Sequence, residues 1–348
     1  MKIAFVTSGL FRHTGGPPIV IANLINQLAS KKKYNISYLG VDGDIHPKIL
    51  NIDKAVSVNN FKVITPYRFS INYFKKLVKL APDQVWVHGL WLWPNLCGII
   101  YALIFKKKLI ITPHGVLTRE MFSNKKLKKI IIGFIERVII IIKKDVKLHY
   151  LSDQERNSCV LKKYKIDNAV IPNYVFINSN HKIKRDKDFV FLARIAPIKG
   201  VEDIVKLDTF KCDIYGFGDK TYIKKVFGSK NNYLGEVESN EVKDIYSAYK
   251  FYVLPSYGEG LPTSAIEAAM CNCILVISNQ CNLNMFNDGV DCLKFDAGIE
   301  NLQNAIKLAK SLTQSELEIM LANSKKIITN HFSSIVLDEK YSNLLEQW

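Results

Sequence analysis

The chain has 348 residues, of which 48% are apolar and 23% are charged. These proportions are close to those of an average soluble protein, and the length suits two domains of about 100 to 200 residues each. They exclude a disordered chain, a collagen-like fibre and a small disulfide scaffold. The seven cysteines are an odd number, and the first residues resemble a strand more than a secretory leader. We therefore expect a reducing, cytoplasmic setting.

The net charge of +16 is concentrated in the first half of the chain. Residues 1–170 contain 28 lysines and arginines and 10 acidic residues, a net +18, whereas the remainder carries 20 and 22 and is nearly neutral. A basic half beside a neutral half points to an anionic partner, which could be nucleic acid, an anionic membrane or an acidic saccharide. A generally lysine-rich composition would produce the same asymmetry.

Short apolar runs alternate with helical patterns along the whole chain, which is typical of parallel sheets covered by helices. The strands predicted from these runs are, in chain order, 2–7, 36–41, 84–88, 108–112, 147–151, 189–193, 211–215, 251–254 and 274–277. A polar stretch without apolar periodicity, 179–187, follows the fifth of them and is the predicted linker.

The predicted fold class is α/β, with two Rossmann-like domains that face each other across a cleft. We expect an N-terminal domain over 1–170 and a C-terminal domain over 171–330. A C-terminal helix over 331–348 is expected to pack back on the N-terminal domain. Such domains bind ligands at the carboxyl ends of their strands.

Two glycines, Gly15 and Gly16, stand just before a helical pattern that follows the first strand. Backbone N–H groups at such a turn can approach a phosphate, and the helix dipole favours the negative charge. The spacing is not that of a dinucleotide-binding G-x-G-x-x-G motif, and an ordinary turn would also use glycines here.

Two cations, Arg194 and Lys199, lie in the loop after the predicted strand 189–193. Five residues apart on one loop, they can converge on a diphosphate, the arginine by paired hydrogen bonds and the lysine as a point charge. A solvated basic loop would have the same composition.

Two carboxylates, Glu259 and Glu267, stand eight residues apart, the first in a glycine-rich loop and the second in a helix that begins near Pro262. They could contact different parts of one elongated ligand, and carboxylates accept hydrogen bonds from sugar hydroxyls. A helix-terminal glutamate and a solvated one are the ordinary alternative.

The run 251–278, with its GEGLP and EAAM segments, resembles the nucleotide-sugar signature of retaining glycosyltransferase family 4 (glycosyl transferases group 1), which has the GT-B fold. Five further segments precede this run in the order that the family has: TPHG (112–115), VIPN (170–173), ARIAPIKG (193–200), IYGFGD (214–219) and YLGEV (233–237). One departure is that Asn272 and Ile274 stand where the family usually has glycine and proline.

The resemblance implies that the C-terminal domain binds a UDP- or GDP-sugar and that the N-terminal domain, 1–170, binds the acceptor. Arg194 and Lys199 would contact the diphosphate, Glu267 the ribose and Glu259 the donor sugar, and His114 would lie beside the transferred sugar. The catalytic set implied is Glu259, Arg194, Lys199 and His114. The donor-binding set implied is Gly15, Gly16, Arg194, Lys199, Gly216, Glu259, Gly260, Leu261 and Glu267.

The implied reaction is a retaining hexosyl transfer without metal, cofactor or settled protein nucleophile. The acceptor implied is a saccharide, expected to be lipid-linked, in surface polysaccharide biosynthesis such as that of capsule, O-antigen or exopolysaccharide. Alternatives are a GT-B enzyme that acts on a free nucleotide sugar, as an epimerase or sugar-phosphate synthase, or a non-enzymatic basic nucleic-acid-binding protein. Nucleic acid is not the expected partner, because no known nucleic-acid-binding motif accompanies the charge.

Other chemistry-bearing residues have ordinary interpretations. We interpret 42–44 (Asp-Gly-Asp) as a turn and not as a metal site, and the cysteines as buried thiols and not as zinc ligands. His88, His149 and His181 are interpreted as ordinary strand or loop residues. Trp86, Trp91 and Trp93 could pack in the core or stack on an acceptor sugar.

The segment 124–144 has apolar residues at helical spacing and lysine pairs at both ends. Its apolar positions are 127, 130, 131, 134, 135, 138, 141 and 142. The longest apolar run within it, 130–142, is interrupted by Glu136 and Arg137 and is too short to span a bilayer. The segment either lies on an anionic membrane, at the inner face of the cytoplasmic membrane, or covers the first sheet with its apolar stripe.

Overall fold

A computed structural model describes residues 1–9, 17–43, 52–53, 56–64, 67–117, 127–175, 185–207, 210–228, 232–238 and 241–348. The chain divides into two compact units, Met1–Tyr174 with Asp338–Trp348, and Val175–Leu337. The division lies after Tyr174, whereas the sequence suggested a boundary after 170, and the terminal segment joins the first unit from Asp338 instead of from 331.

The first unit contains one parallel sheet in the described residues, in the order β3-β2-β1-β4-β5-β6-β7. Its strands are β1 (Lys2–Thr7), β2 (Asn35–Val41), β3 (Ser57–Phe61), β4 (Gln84–His88), β5 (Lys108–Thr112), β6 (Val146–Tyr150) and β7 (Asp167–Val170). The order of the first six strands is that of a Rossmann sheet. The central strands are buried on both faces, which explains why their sequences are continuous apolar runs without alternation.

The helices of the first unit connect these strands. They are α1 (Pro17–Ser30), α2 (Ile71–Leu80), α3 (Trp93–Ile104), α4 (Leu127–Ile142) and α5 (Asp153–Ser158). Helix α1 begins at two prolines, which fit a first helical turn because its N–H groups have no intrahelical partner. Helix α5 is capped by Ser152, whose side chain accepts a hydrogen bond from the Glu155 N–H.

The second unit contains a parallel sheet in the order β12-β11-β10-β8-β9 within its described residues. The strands are β8 (Lys187–Leu192), β9 (Cys212–Tyr215), β10 (Tyr249–Leu254), β11 (Ile274–Ser278) and β12 (Leu293–Phe295). The helices are α6 (Val201–Lys206), α7 (Lys220–Phe227), α8 (Val242–Ser247), α9 (Thr263–Met270), α10 (Ile299–Ser311) and α11 (Gln314–Phe332). The chain adds β9 on one side of β8 and β10 on the other, so the loops after β8 and β10 flank the switch point of the sheet.

The last helix, α12 (Ser334–Glu346), completes the core of the first unit with its second half. Tyr341 is fully buried, and its ring packs against Trp86, His149 and Tyr174 with centroids 4.9 to 6.0 Å apart. Asp338 accepts hydrogen bonds from the Tyr174 hydroxyl at 2.6 Å and from the amide of Gln27 in α1.

Each strand predicted from the sequence is present within two residues of its predicted ends. The strands β3, β7 and β12 were missed. All three are edge strands of three to five residues, and the exposed sequences of β3 and β7 carry few apolar side chains. Among the described residues, no helix combines the length and hydropathy that a bilayer crossing requires.

Candidate functional site

The loops that leave β8 and β10 are joined at the switch point of the second sheet. The loop after β8 contains a single 3₁₀ turn, Pro197–Lys199. Its Ile198 carbonyl accepts hydrogen bonds from the Tyr257 N–H at 2.7 Å and from the Ser256 hydroxyl at 2.8 Å, both in the loop after β10. The two loops therefore form one rigid surface at the carboxyl edge of the sheet.

Lys199 and Glu259 meet on this surface as a nearly buried ion pair. The Lys199 Nζ lies 2.6 Å from Glu259 Oε1, with side chains 15% and 9% exposed. The Glu259 backbone is held on both sides, because its N–H donates to Gln280 and its carbonyl accepts from the side chain of Asn282. The structure thus brings together two residues for which the resemblance implied separate contacts with a donor.

Arg194 and Glu267 lie on the same two connections. Arg194 follows β8 and is exposed, whereas Glu267 lies within α9, which begins at Thr263 after the loop from β10, and is half-buried. Burial, together with the nearby Tyr252 and Glu267, raises the pKa of the Tyr246 hydroxyl well above its usual range.

The glycines predicted to bind a donor fall into two structural classes. Gly216, at the end of β9, has φ 144°, and a Cβ there would overlap the carbonyl of Ala193. Gly260 has open space, since no described atom lies within 4 Å of a Cβ built on it. Leu261 is half-buried. Gly15 and Gly16 lie outside the described residues.

His114 follows β5 in the first unit and has a left-handed backbone, with φ 53°. The next residue, Gly115, donates its N–H to Glu155 of α5, which fixes the turn. The His114 Nε2 lies 3.1 Å from Nδ1 of His88, the last residue of β4, and the two rings are stacked with centroids 5.3 Å apart. Burial and the nearby His149 lower the pKa of His114 to about 3, so the ring is neutral.

His88 and His149 are strand residues, as the sequence predicted: His88 ends β4 and His149 lies in β6. Both are at least 96% buried, and they lie with Thr112 at the ends of the neighbouring strands β4, β5 and β6. Thr112 Oγ1 is 2.8 Å from both Trp86 Nε1 and His149 Nδ1, and His149 Nε2 is 2.9 Å from the Ile171 carbonyl. The sequence did not predict that these side chains meet, although a polar residue stands near the same end of each of three adjacent strands. His181 lies outside the described residues.

The tryptophans divide between core and half-buried positions. Trp86 is fully buried and Trp91 is 6% exposed, so both pack in the core. Trp93 is half-buried, with its Nε1 bonded to the Ser70 carbonyl and its ring against Phe69.

Helix α4 packs on the first unit with a face that is not its apolar stripe. Its buried side contains Gly133, Glu136, Ile139 and Ile140. Both oxygens of Glu136 lie within 3.0 Å of the Trp91 N, and burial raises the pKa of this carboxyl to about 8. Gly133 makes room for the indole, because a Cβ there would lie 2.8 Å from Trp91 Cδ1.

The stripe itself is exposed. The side chains of its described members are exposed by 37 to 62%: Phe134, Ile135, Val138, Ile141 and Ile142. The expectation that this stripe covers the first sheet is therefore wrong for residues 132–142, because the buried face of the helix is the opposite one. Residues 124–126 lie outside the described part of the chain.

The cysteines are all buried and free. Burial raises the pKa of the Cys273 and Cys281 thiols above their usual range. Of the Asp-Gly-Asp turn, Asp44 lies outside the described residues.

Comparison with known proteins finds glycosyltransferases similar to the second unit and, at low identity, to the whole chain. Residues 172–311, which span β8 to β12, match the family model described as glycosyl transferases group 1. The chain is 25% identical to the Campylobacter jejuni GalNAc-α-(1→4)-GalNAc-α-(1→3)-diNAcBac-PP-undecaprenol α-1,4-N-acetyl-D-galactosaminyltransferase, over 100% of this chain and 97% of that protein. It is 22% identical to the Escherichia coli O-antigen biosynthesis glycosyltransferase WclY, over 99% and 98%.

Solved structures decide the architecture. Anabaena HepE in complex with UDP superposes with a TM-score of 0.80 at 17% identity, over 100% of both chains. WaaG, a glycosyltransferase involved in lipopolysaccharide biosynthesis, has a TM-score of 0.73 at 14% identity, over 99% of this chain and 100% of that chain. The fold is GT-B. The predicted fold class of two Rossmann-like domains is confirmed, and the comparisons support glycosyltransferase activity for this GT-B protein.

Proposed function

We propose that the protein is a retaining glycosyltransferase of family 4 that moves a hexosyl group from a UDP- or GDP-sugar to a saccharide acceptor, without a metal. The proposed acceptor is lipid-linked, and the proposed process is the assembly of a surface polysaccharide. The observation that carries the donor site is the Lys199–Glu259 pair, fixed at 2.6 Å at the switch point of the second sheet. The match of residues 172–311 to the glycosyl transferases group 1 model supports the same site.

The proposed chemistry places the donor diphosphate against Arg194 and Lys199. The acceptor oxygen forms a bond to the anomeric carbon on the face from which the diphosphate departs, the sugar–phosphate bond breaks, and the acceptor proton passes to a phosphate oxygen. The diphosphate gains negative charge in this step, so fixed cations stabilise the transition state more than the ground state, by about 3 to 4 kcal/mol for one contact. Glu267 would accept hydrogen bonds from the ribose, and Glu259 would orient Lys199 and the donor sugar.

The relatives support the proposed substrates. The structure of Anabaena HepE has been solved in complex with UDP-glucose. The Campylobacter relative is named for an acceptor that is a saccharide on PP-undecaprenol. We therefore place a nucleotide sugar and a lipid-linked saccharide first among the donors and acceptors to be tested.

We expect one nucleoside diphosphate to stabilise the protein against thermal unfolding through the second unit. UDP, GDP and ADP, with CMP for comparison, are added in turn to the full chain. A ligand at about 100 times its dissociation constant adds about 2.7 kcal/mol to the free energy of unfolding. Arg194→Ala and Glu267→Ala should each remove most of this gain, because each removes a polar contact with the nucleotide.

The matched control is Lys250→Ala. Lys250 lies at the start of β10, hence at the opposite edge of the same sheet, in an exposed pair with Asp188. The Lys250→Ala variant should be stabilised by nucleotide against thermal unfolding as much as the wild type is. Absence of stabilisation by all four nucleotides, or equal stabilisation of the three variants, would overturn the donor site.

We also propose that the exposed stripe of α4 binds an anionic membrane, at the inner face of the cytoplasmic membrane. Five large apolar side chains on one face of a surface helix are more than scattered exposed residues account for. The net +18 of residues 1–170 favours an anionic surface. This position would bring the first unit to a lipid-linked acceptor.

Phe134→Ser with Ile142→Ser should reduce co-sedimentation with phosphatidylglycerol-containing vesicles at least tenfold. The two side chains are 61% and 62% exposed, and burying each in lipid contributes about 1 kcal/mol or more. The control pair is Leu308→Ser with Ile319→Ser, which are 50% and 58% exposed in the second unit and should sediment as the wild type does. Equal sedimentation of the two double variants would contradict the proposal.

A further inference from the structure

His88 packs against the His114 ring and contacts it through a ring nitrogen. His88 is 4% exposed and packs against the rings of both Phe5 and Trp86, whose centroids are each 5.6 Å from its own and 5.1 Å from each other. Its Nδ1 is 3.1 Å from His114 Nε2. Because both atoms are imidazole nitrogens, one must donate and the other must accept.

Both rings are neutral. Burial is the main cause that lowers the pKa of His88 well below its usual range, and the neighbouring His114 and His149 lower it further. The pKa of His114 is about 3. Each ring therefore carries one proton at neutral pH, and the position of the His88 proton determines that of the His114 proton.

The other ring nitrogen of His88, Nε2, indicates which histidine donates the hydrogen bond between the two rings. His88 Nε2 is buried and has no hydrogen-bond partner in the described part of the chain. If this atom carried the proton, a buried N–H would be left without an acceptor, and orphaned N–H groups are rarer than unpaired acceptors. The proton is therefore better placed on Nδ1, where it has His114 Nε2 as its acceptor.

The neighbouring groups do not reverse this direction. Trp86 Nε1 can only donate, so it donates to Thr112 Oγ1, and the Ile171 carbonyl can only accept, so His149 Nε2 carries a proton. His149 Nδ1 then accepts from the Thr112 hydroxyl. His149 is thus neutral with both nitrogens hydrogen-bonded, and its single N–H is not available to His88.

We propose that His88 is a positioning residue, which donates from Nδ1 to His114 Nε2 and so fixes the His114 proton on Nδ1. His114 then offers a hydrogen-bond donor to whatever it faces. Resting on the proposed function, this means that His114 binds an oxygen of the donor sugar or acceptor and does not act as a general base. The left-handed backbone of His114 and the bond from Gly115 to Glu155 hold the ring in this pairing.

The test is the tautomer of His114, read by long-range ¹H–¹⁵N NMR on the full chain labelled at its histidines. The His114 signals are assigned by their loss in His114→Gln. In the wild type at pH 7 we expect the Nδ1–H form. In His88→Phe, which cannot donate, we expect this form to be lost in favour of Nε2–H, the form that free imidazole side chains prefer.

His88→Asn is the second variant, because the asparagine amide can donate from nearly the position of Nδ1. It should restore the Nδ1–H form of His114. A wild-type His114 in the Nε2–H form, or the same tautomer in wild type, His88→Phe and His88→Asn, would overturn the proposal. The measurement needs neither donor nor acceptor, so its result is independent of the nucleotide experiment on the second unit.

Discussion

Lys199→Met should strongly destabilise the second unit and also remove its nucleotide binding. The variant leaves the 9%-exposed carboxylate of Glu259 without its cation. Removing one partner of a buried pair costs about 3 to 5 kcal/mol, because the remaining charge stays away from water. The lost ammonium would also remove a proposed contact with the diphosphate. Urea unfolding and nucleotide-dependent thermal shifts measure the two effects separately.

Two further variants separate those effects. Lys206→Met removes an exposed ion pair, in which Lys206 Nζ lies 3.8 Å from Glu202 Oε2. This variant should lower the free energy of unfolding by less than about 0.5 kcal/mol. Lys199→Met with Glu259→Gln removes both charges and should recover much of the stability but none of the nucleotide response. If Lys199→Met were as stable as Lys206→Met, the pair would not be buried in solution. If the double variant bound nucleotide as the wild type does, the proposed role of Lys199 would be wrong.

Gly216→Ala should destabilise the second unit by about 2 to 5 kcal/mol, from a backbone conformation unfavourable to alanine and a clash with backbone. Its φ of 144° is rare for other residues, and the new methyl would overlap the Ala193 carbonyl. Relief by movement is restricted, because the Gly216 N–H donates to Gly235 and its carbonyl accepts from the Tyr233 hydroxyl. Denaturant unfolding of the variant measures the cost.

Gly260→Ala is the matched glycine, with open space for a methyl group. It should not lower the unfolding free energy and could raise it by about 0.4 to 1 kcal/mol. Its response to nucleotide then tests whether this loop touches the donor, without the complication of a damaged fold. Equal stability losses in the two variants would contradict the structural distinction between the glycines.

The sequence was sufficient for the central strands and for the loops that carry the candidate donor residues. Buried parallel strands are continuous apolar runs, and the loops after β8 and β10 carry charges that the core cannot hold. The contact between Lys199 and Glu259 could not be read from the sequence. It depends on two loops 60 residues apart that meet because β8 and β10 are neighbours in the sheet.

Helix α4 shows a different limit of sequence analysis. Its period correctly indicates a helix with an apolar stripe, and the usual rule places such a stripe against the core. The structure buries the face with Gly133 and Glu136 instead, because the glycine admits the Trp91 indole and the glutamate accepts the Trp91 N–H. Pairings of this kind depend on the shape of the neighbouring loop, which hydrophobic periodicity does not encode.

Because the last residues of the chain pack in the first unit, the two units complete their folding in a fixed order during synthesis. Tyr341, Leu344 and Leu345 are each at most 3% exposed, and Tyr341 fills the space beside Trp86 and His149. A ribosome makes these residues after the entire second unit, which can fold as soon as it has emerged. The first half of the chain, although synthesised first, is therefore the last to close, and its unfinished core must remain soluble throughout translation.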